Sequence, residues 1–233
     1  MSTLTTIGFD ADDTLWQNET FFRLTEQRFV DLLAEHGDAA AIGRRLLDTE
    51  KRNLEFYGFG IKGFTLSMIE TAIQLTEGRA PASLVEEILG FGREMLRHPV
   101  ETLPDARETL ESLSGEYRLV LITKGDLFDQ ERKLAASRLG DLFQAVEIVS
   151  DKTEATYARI FARHGDGPER AMMVGNSLRS DVLPALAAGS WGVHMPHELT
   201  WEYEHAEAPL EAPRFRRIEG LADLPALIRS IGG

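Results

Sequence analysis

The chain has 233 residues, 43% of them hydrophobic, so it is long enough for one large domain or for a core domain with a smaller insertion. Its formal net charge of -13 argues against broad nucleic-acid binding and disfavours attachment to anionic membranes, since both need a basic surface. The absence of cysteine excludes disulfides, thiolate metal sites and cysteine nucleophiles. No apolar run approaches the roughly 20 residues that span a bilayer, and no signal peptide is recognisable, so we expect a cytoplasmic protein.

A short strand is predicted over residues 5–9, and it ends in three acids, Asp10, Asp12 and Asp13. Carboxylates this close raise one another's pKa and cost stability unless a cation or a chemical task uses them. Asp12 or Asp13 is also able simply to cap a helix or a turn. The choice between these interpretations depends on what the other strands bring to the same place.

Residues 18–100 have a helical pattern. Apolar residues from Phe22 to Leu33 recur at the spacing of one stripe on an amphipathic helix. Breaks that contain glycine or proline separate the later helices of this block. Further helices are predicted at 39–56, 64–75 and 82–96. The block therefore indicates a small helical bundle.

After Leu103 the pattern changes to short apolar strands that alternate with helices. This alternation is typical of βαβ units and predicts a parallel sheet covered by helices on both faces. The opening strand belongs with this set, so the helical block is an insertion into an α/β core. Strands are predicted in YRLVLIT, FQAVEIVS, RAMMVG, WGVHM and RFRRI, and helices in ARETLESL, QERKLAASRL, TEATYARIFARHG, SDVLPALAAG and LADLPALIRSI.

Polar residues follow four of the predicted strands. In an open parallel sheet, ligands bind beyond the carboxyl ends of the strands, so these residues are expected to converge. Taken singly, each is explained by capping or by exposure to solvent, but their joint placement at one edge favours a functional site. They are Asp10, Asp12 and Asp13, then Thr123, Lys124 and Gly125, then Lys152, and finally Asn176 with Asp181.

The types of these residues indicate a metal-assisted reaction on an anion. Mg²⁺ prefers oxygen ligands and commonly binds one or two carboxylates, for which Asp10 and Asp181 are suited. Thr123 offers a hydroxyl, and the main-chain N–H groups of Lys124 and Gly125 are able to cradle an anion. Lys152 supplies a point charge for a phosphate oxygen or for the attacking carboxylate.

On these residues the chain resembles the haloacid dehalogenase superfamily of hydrolases. The resemblance runs from residue 5 to about 195 and is specific for the superfamily rather than for a substrate. It implies a Rossmann-like core formed by residues 1–16 and 101–233, with residues 17–100 as a mobile helical cap. The matching motifs are FDADDT (Asp10, Asp12, Thr14), LVLITKGD (Thr123), SDKTEATY (Lys152) and VGNSLRSDV (Asn176, Asp181).

The resemblance also implies roles for the site residues. Asp10 is the expected nucleophile, which forms an aspartyl-phosphate that water then hydrolyses. Asp12 is expected to protonate the leaving oxygen and later to activate the water. Thr123 and Lys152 hold the phosphoryl oxygens. The expected Mg²⁺ ligands are Asp10, the main-chain carbonyl of Asp12, and the last motif with Asn176 and Asp181.

The expected function is therefore hydrolysis of a small phosphorylated metabolite by a monomer or homodimer. Dehalogenases of the superfamily lack an aspartate at the position of Asp12, so its presence favours phosphoryl transfer over halide cleavage. Many phosphatases of the group read Gly-Asp where this chain has Gly175-Asn176, so we expect weaker Mg²⁺ binding. Phosphoglucomutase-like transfer, phosphonate or halide cleavage, and a weakly active binding or regulatory homologue remain as alternatives.

Substrate specificity is expected to come from the cap. Its segment NLEFYGFGIKGF places Tyr57, Phe59 and Lys62 in a glycine-rich break, although an ordinary interhelical loop explains each of them as well. Lys62 is also the cap lysine that phosphonate chemistry through a Schiff base would need. His194, His197 and Trp201 are expected in a loop near the site, without the ligand spacing of a zinc centre. The sequence does not identify the substrate.

Overall fold

A computed structural model describes residues 4–232 of the chain. Within these residues, six strands form one parallel sheet in the order β3-β2-β1-β4-β5-β6, which is the Rossmann arrangement. The predicted α/β class with a Rossmann-like parallel sheet is thereby confirmed. The strands are β1 (Thr6–Phe9), β2 (Arg118–Lys124), β3 (Ala145–Val149), β4 (Ala171–Gly175), β5 (Trp191–His194) and β6 (Phe215–Arg217).

Local sequence signals set the bounds of the helices. Asp38 caps the second helix, because its side chain accepts a hydrogen bond from the Ala41 N–H, and Gly58 ends that helix with a positive φ of 67°. The described helices are α1 (Glu19–Leu32), α2 (Ala39–Tyr57), α3 (Ile61–Leu75), α4 (Ala82–Arg97), α5 (Ala106–Ser114), α6 (Leu127–Ser137), α7 (Glu154–His164), α8 (Leu183–Ala187) and α9 (Leu224–Gly232). A π-helical turn, Leu178–Val182, leads into α8.

Strand β1 lies at the centre of the sheet. Its last residue, Phe9, is in register with Leu121 of β2 on one side and with Val174 of β4 on the other. One face of the sheet packs against apolar residues of α5 and α9, and the opposite face packs against α7 and α8. Because the strands run parallel, the residues that follow their carboxyl ends are brought to one edge of the sheet.

The chain divides into two compact units. The first contains the described residues up to Glu19, Val100–Lys124 and the residues from Gln130 onwards, and the second contains Thr20–Pro99 with Gly125–Asp129. The predicted division into residues 1–16 and 101–233 against 17–100 places the boundaries close to these positions, and residues 1–3 and 233 lie outside the described residues. The assignment of the two predicted segments as catalytic core and cap stays a prediction.

The helical unit has a core of its own. Buried side chains from α1, α2, α3 and α4 form one apolar cluster, which includes Phe29, Ile42, Met68 and Ile88. Among residues 4–232, no helix is both long and apolar enough to cross a membrane.

Candidate active site

The centre of the site is a buried cluster of two carboxylates and one ammonium group. Asp10 follows β1 directly, Lys152 follows β3, and Asp181 lies in the π-helical turn after β4. The Lys152 ammonium group donates to Asp10 Oδ1 and, at 2.7 Å, to Asp181 Oδ1. All three side chains are less than 10% exposed. The sheet edge therefore brings together three residues that are far apart in the sequence.

Burial and charge act together on this cluster. Burial raises the pKa of Asp10 to about 7, and Asp181 adds to the increase while Lys152 opposes it. Burial alone would lower the pKa of Lys152, but the two carboxylates outweigh it and raise that pKa. With both acids ionised the trio has a net charge of minus one, so a further cation at this place would be stabilised.

Thr14 links the first and last motifs. Its hydroxyl donates to Asp10 Oδ2 at 3.0 Å and accepts from the Asn176 main-chain N–H at 3.1 Å. The Asn176 side chain lies near the same hydroxyl, with its Oδ1 3.5 Å from Thr14 Oγ1. Thr14 thus fixes the orientation of the Asp10 carboxylate and places the Asn176 amide beside it.

The turn after β4 orients Asp181. Ser177 caps this turn, since its side chain accepts from the Ser180 N–H at 2.9 Å, and its own N–H donates to Asp181 Oδ2 at 2.9 Å. Gly175 leaves the space that the carboxylate occupies, because a Cβ there would lie 2.2 Å from Asp181 Oδ2. The capping role that the sequence allowed for this segment therefore falls to Ser177.

Asp12 has a separate set of partners. Its Oδ1 accepts from the Trp16 indole N–H at 2.7 Å and from the Lys133 ammonium group at 3.0 Å, and its Oδ2 accepts from Gln130 Nε2 at 2.8 Å. Gln130 and Lys133 are functional-site residues that the sequence motifs do not predict. One feature of the sequence does point to this role: the two residues are three positions apart in QERK, which puts both on one face of α6.

Asp13 is a structural acid. Its carboxylate accepts hydrogen bonds from the main-chain N–H groups of Asn18 and Glu19, where α1 begins. Burial raises the pKa of Asp13 to about 6, and the neighbouring Asp12 charge adds to the increase. Of the two acids that the sequence allowed as caps, Asp13 therefore stabilises the start of the helix.

Thr123 and Lys124 lie at the end of β2. Thr123 is two residues beyond the register pair of Phe9 and Leu121, and its hydroxyl is 3.4 Å from the Lys124 main-chain oxygen. The Lys124 side chain donates to Ser180 Oγ at 2.7 Å and to Glu204 Oε1 at 2.5 Å. Glu204, in the loop between β5 and β6, is a further residue at the edge of the site that the sequence motifs do not predict.

Three predicted substrate-binding residues belong to the helical unit. They are Tyr57, Lys62 and Gly125. The Lys62 ammonium group contacts both carboxylate oxygens of Asp126 at 3.0 Å, and Tyr57 is half exposed. In this conformation, Lys62 is therefore held by an ion pair within its own unit.

Of the two histidines named from the sequence, His194 is the last residue of β5 and His197 lies in the loop that follows. His194 Nε2 lies 3.1 Å from the Asn176 main-chain oxygen, and burial lowers the pKa of His194. His197 bonds through Nδ1 to the main chain of Leu199. The Trp201 ring packs against Tyr203 with 5.0 Å between the ring centroids.

The oxygen donors of the central cluster suit a divalent cation. Residues 4–232 contain no group of three or more histidine, cysteine, aspartate or glutamate side chains placed to hold a metal by themselves. Asp10 and Asp181 nevertheless provide two buried carboxylates that meet at one ammonium group. Mg²⁺ commonly binds one or two carboxylates and completes its coordination with water and substrate oxygens, so this donor set fits it.

A Rossmann-like sheet with an acid cluster at its carboxyl edge is typical of α/β enzymes that bind their ligands at this edge. The family model for haloacid dehalogenase-like hydrolases matches residues 4–189. The chain therefore belongs to the haloacid dehalogenase-like hydrolase family, as its motifs predicted.

Solved structures and curated relatives agree with this membership. A haloacid dehalogenase-like family hydrolase from Xanthomonas campestris is 43% identical, with a TM-score of 0.88 over 99% of this chain and 92% of that one. Glyceraldehyde 3-phosphate phosphatase of Methanothermobacter thermautotrophicus is 27% identical over 88% of this chain and 91% of its own. Human N-acylneuraminate-9-phosphatase is 26% identical over 99% of this chain and 96% of its own.

Proposed function

We propose that the chain is a Mg²⁺-dependent phosphatase that hydrolyses a small phosphorylated metabolite through an aspartyl-phosphate on Asp10. The observation that carries the proposal is the buried contact of Lys152 with both Asp10 and Asp181, beside a separately held Asp12. This arrangement provides a nucleophile and an acid in different surroundings. Curated relatives named as phosphatases, with 25–27% identity, support the same reaction class.

The chemistry divides between Asp10 and Asp12. A carboxylate oxygen of Asp10 forms a bond to phosphorus while the bond to the alcohol oxygen breaks. Asp12 gives a proton to the departing oxygen and later takes one from the water that hydrolyses the aspartyl-phosphate. Thr14 holds Asp10 through Oδ2 and Lys152 holds it through Oδ1, so the carboxylate is oriented before substrate arrives.

The negative charge on the phosphoryl oxygens has to be stabilised by hydrogen-bond donors and cations. Lys152 and the Thr123 hydroxyl supply them, together with the main-chain N–H groups of Lys124 and Gly125. Asp10, Asp181, the Asn176 amide and the main-chain carbonyl of Asp12 would hold Mg²⁺, which when bound neutralises the acids and the phosphate. Because Asn176 brings no charge, we expect weaker Mg²⁺ binding than an aspartate would give.

The helical unit is proposed as the cap that selects the substrate, with Tyr57, Phe59 and Lys62 as candidate contacts. Small phosphorylated metabolites are the expected substrates, with glyceraldehyde 3-phosphate and N-acylneuraminate 9-phosphate as first choices from the names of the relatives. A cytoplasmic location and a monomeric or homodimeric state stay predictions. The ion pair with Asp126 occupies the Lys62 amine that a Schiff base would need, which disfavours phosphonate chemistry.

The test is a screen of phosphorylated metabolites with the wild-type chain, with and without Mg²⁺. We expect phosphate release that is lost in EDTA and in Asp10→Asn. Phosphonate cleavage that Lys62→Ala abolishes would favour phosphonate chemistry, and transfer between two sugar phosphates would favour a mutase. Ligand binding without turnover of any substrate would overturn the proposal and favour a binding or regulatory homologue.

A further inference from the structure

The carboxylate of Asp12 accepts hydrogen bonds from three side chains, Trp16, Gln130 and Lys133, which are called the clasp below. Trp16 lies in the loop after β1, and Gln130 and Lys133 lie one turn apart on α6. Lys133 is itself fixed, because its ammonium group also donates to Asn18 Oδ1 at 2.7 Å and its side chain is only 9% exposed. Lys133 is therefore a held cation rather than a solvated surface lysine.

The clasp offers only hydrogen-bond donors to the two oxygens of the Asp12 carboxylate. An indole N–H and an ammonium group donate hydrogen bonds and accept none, and the Gln130 amide contacts Asp12 through its donor nitrogen. All three groups therefore donate to the carboxylate oxygens, fix the direction of the carboxylate, and are placed to stabilise negative charge that develops on it during a reaction. Hydrogen bonds from charged donors are the stronger kind, so Lys133 contributes most of this stabilisation.

We propose that Lys133 and Gln130 are positioning residues for proton transfer by Asp12, an inference that rests on the proposed phosphatase reaction. As the alcohol leaves, the bond from phosphorus to its oxygen breaks, the electron pair stays on that oxygen, and the Asp12 proton moves to it. Negative charge then develops on Asp12, where Lys133 and Gln130 stabilise it and fix the direction of the carboxylate. Removing the clasp therefore weakens a step whose importance depends on the leaving group.

The test compares kcat/KM for an alkyl phosphate, such as glycerol 3-phosphate, with kcat/KM for p-nitrophenyl phosphate. The alkoxide is a poor leaving group and needs the proton, whereas p-nitrophenolate leaves without it. General acid catalysis contributes roughly 10²–10⁴-fold, so we expect Lys133→Met to lower kcat/KM for the alkyl ester about 10²-fold. The p-nitrophenyl ester is expected to lose less than about 3-fold, since its leaving group needs little of that contribution.

Matched variants separate positioning from general damage to the fold. Lys133→Arg keeps the charge and should restore part of the alkyl-ester activity. Arg132→Met removes the neighbouring positive charge on α6 and should change both substrates equally. Gln130→Met, which keeps the size of the side chain, should show a smaller loss that is likewise selective for the alkyl ester, and it provides the test if Lys133→Met does not fold.

A double-mutant cycle decides whether Lys133 acts through Asp12. In an Asp12→Ala background, Lys133→Met should cause no further selective loss, because the acid on which it acts is absent. Equal losses for both esters in Lys133→Met and in Gln130→Met would overturn the inference and leave the proposed function standing. Failure of the wild-type chain to hydrolyse any phosphate ester, or an Asp12→Ala variant with undiminished alkyl-ester activity, would instead overturn the proposed function itself.

Discussion

Glu204 links the loop between β5 and β6 to the edge of the site through a single carboxylate. Its Oε1 accepts from Lys124, and its Oε2 accepts from the hydroxyls of Ser177 and Ser180, each at 2.5 Å. Burial alone would raise the pKa of Glu204, but the Lys124 charge and these hydrogen bonds outweigh burial and lower it. The ionised form of Glu204 is therefore the form that holds the loop.

Replacing this carboxylate should destabilise the protein in a pH-dependent way. A depressed folded-state pKa contributes stability above the ordinary value of 4.5, and the contribution is lost as the pH falls below it. We expect Glu204→Gln to lower the free energy of unfolding by about 1.5–3 kcal/mol near neutral pH, and the difference from wild type to shrink in acid. Denaturant unfolding at several pH values measures it, with the exposed Glu207→Gln as control. A difference that is constant with pH would contradict this account.

Individual site residues differ in how far the sequence could predict them. Asp10, Lys152 and Asp181 could be found because parallel strands deliver their last residues to one edge, and the motif spacing named them. The clasp on Asp12 could not be found in this way, since it depends on how one face of α6 lies against the loop after β1. Glu204 sits in a long loop whose path no periodicity describes. Which partners a charged residue finds is thus a property of packing.

At the scale of elements, the end of β4 and the turn after it form one unit. The π-helical turn lets the Val182 N–H reach the Ser177 main-chain oxygen at 3.2 Å, and it carries Asp181 back over the end of the strand. Gly175 lies directly beneath that carboxylate. Glycine is therefore required at position 175 by the place of the Asp181 carboxylate. Backbone conformation does not require it, since the φ of Gly175 is not in the left-handed region.

A methyl group at this position should displace Asp181. We expect Gly175→Ala to cost about 1–3 kcal/mol of stability from overpacking and to weaken Mg²⁺-dependent phosphate release more strongly than stability alone explains. Thermal unfolding with and without Mg²⁺, together with activity at increasing Mg²⁺, measures both effects. Gly115→Ala is the control, because its helical backbone tolerates alanine and no atom lies within 4 Å of the new Cβ. Unchanged Mg²⁺ dependence in Gly175→Ala would show that Asp181 keeps its place.

The regular elements followed from the sequence more closely than the turns did. The helix predicted at 39–56 is Ala39–Tyr57, and the helix predicted at 82–96 is Ala82–Arg97, because apolar periodicity and a clear cap or proline mark both. The segment SDVLPALAAG was predicted as one helix, yet it begins as a π-helical turn before α8. A wide turn has no periodic signature of its own, so only the space left by Gly175 and the cap from Ser177 account for it.

At the scale of the whole molecule, the apolar residues are sorted into separate cores. The helical unit has one cluster built from α1 to α4, and the sheet has a cluster on each face. Phe29 lies fully buried in the cluster of the helical unit. Phe161 of α7 lies fully buried in the cluster on one face of the sheet. Units with separate cores commonly open as separate cooperative units, so local stability should follow these clusters.

Removing a buried side chain from one core should therefore lower the local stability of the unit that contains it. We expect Phe29→Ala to cost about 3–5 kcal/mol, because it removes a fully buried ring and leaves a cavity. Native-state hydrogen exchange should become faster in α1 to α4 and stay nearly unchanged in β1 and β4, while the reciprocal variant Phe161→Ala should affect the sheet and spare the helical unit. Equal acceleration of exchange by both variants throughout the described residues would contradict this prediction. It would mean that the two units unfold together, because loss of either core would then expose every buried amide.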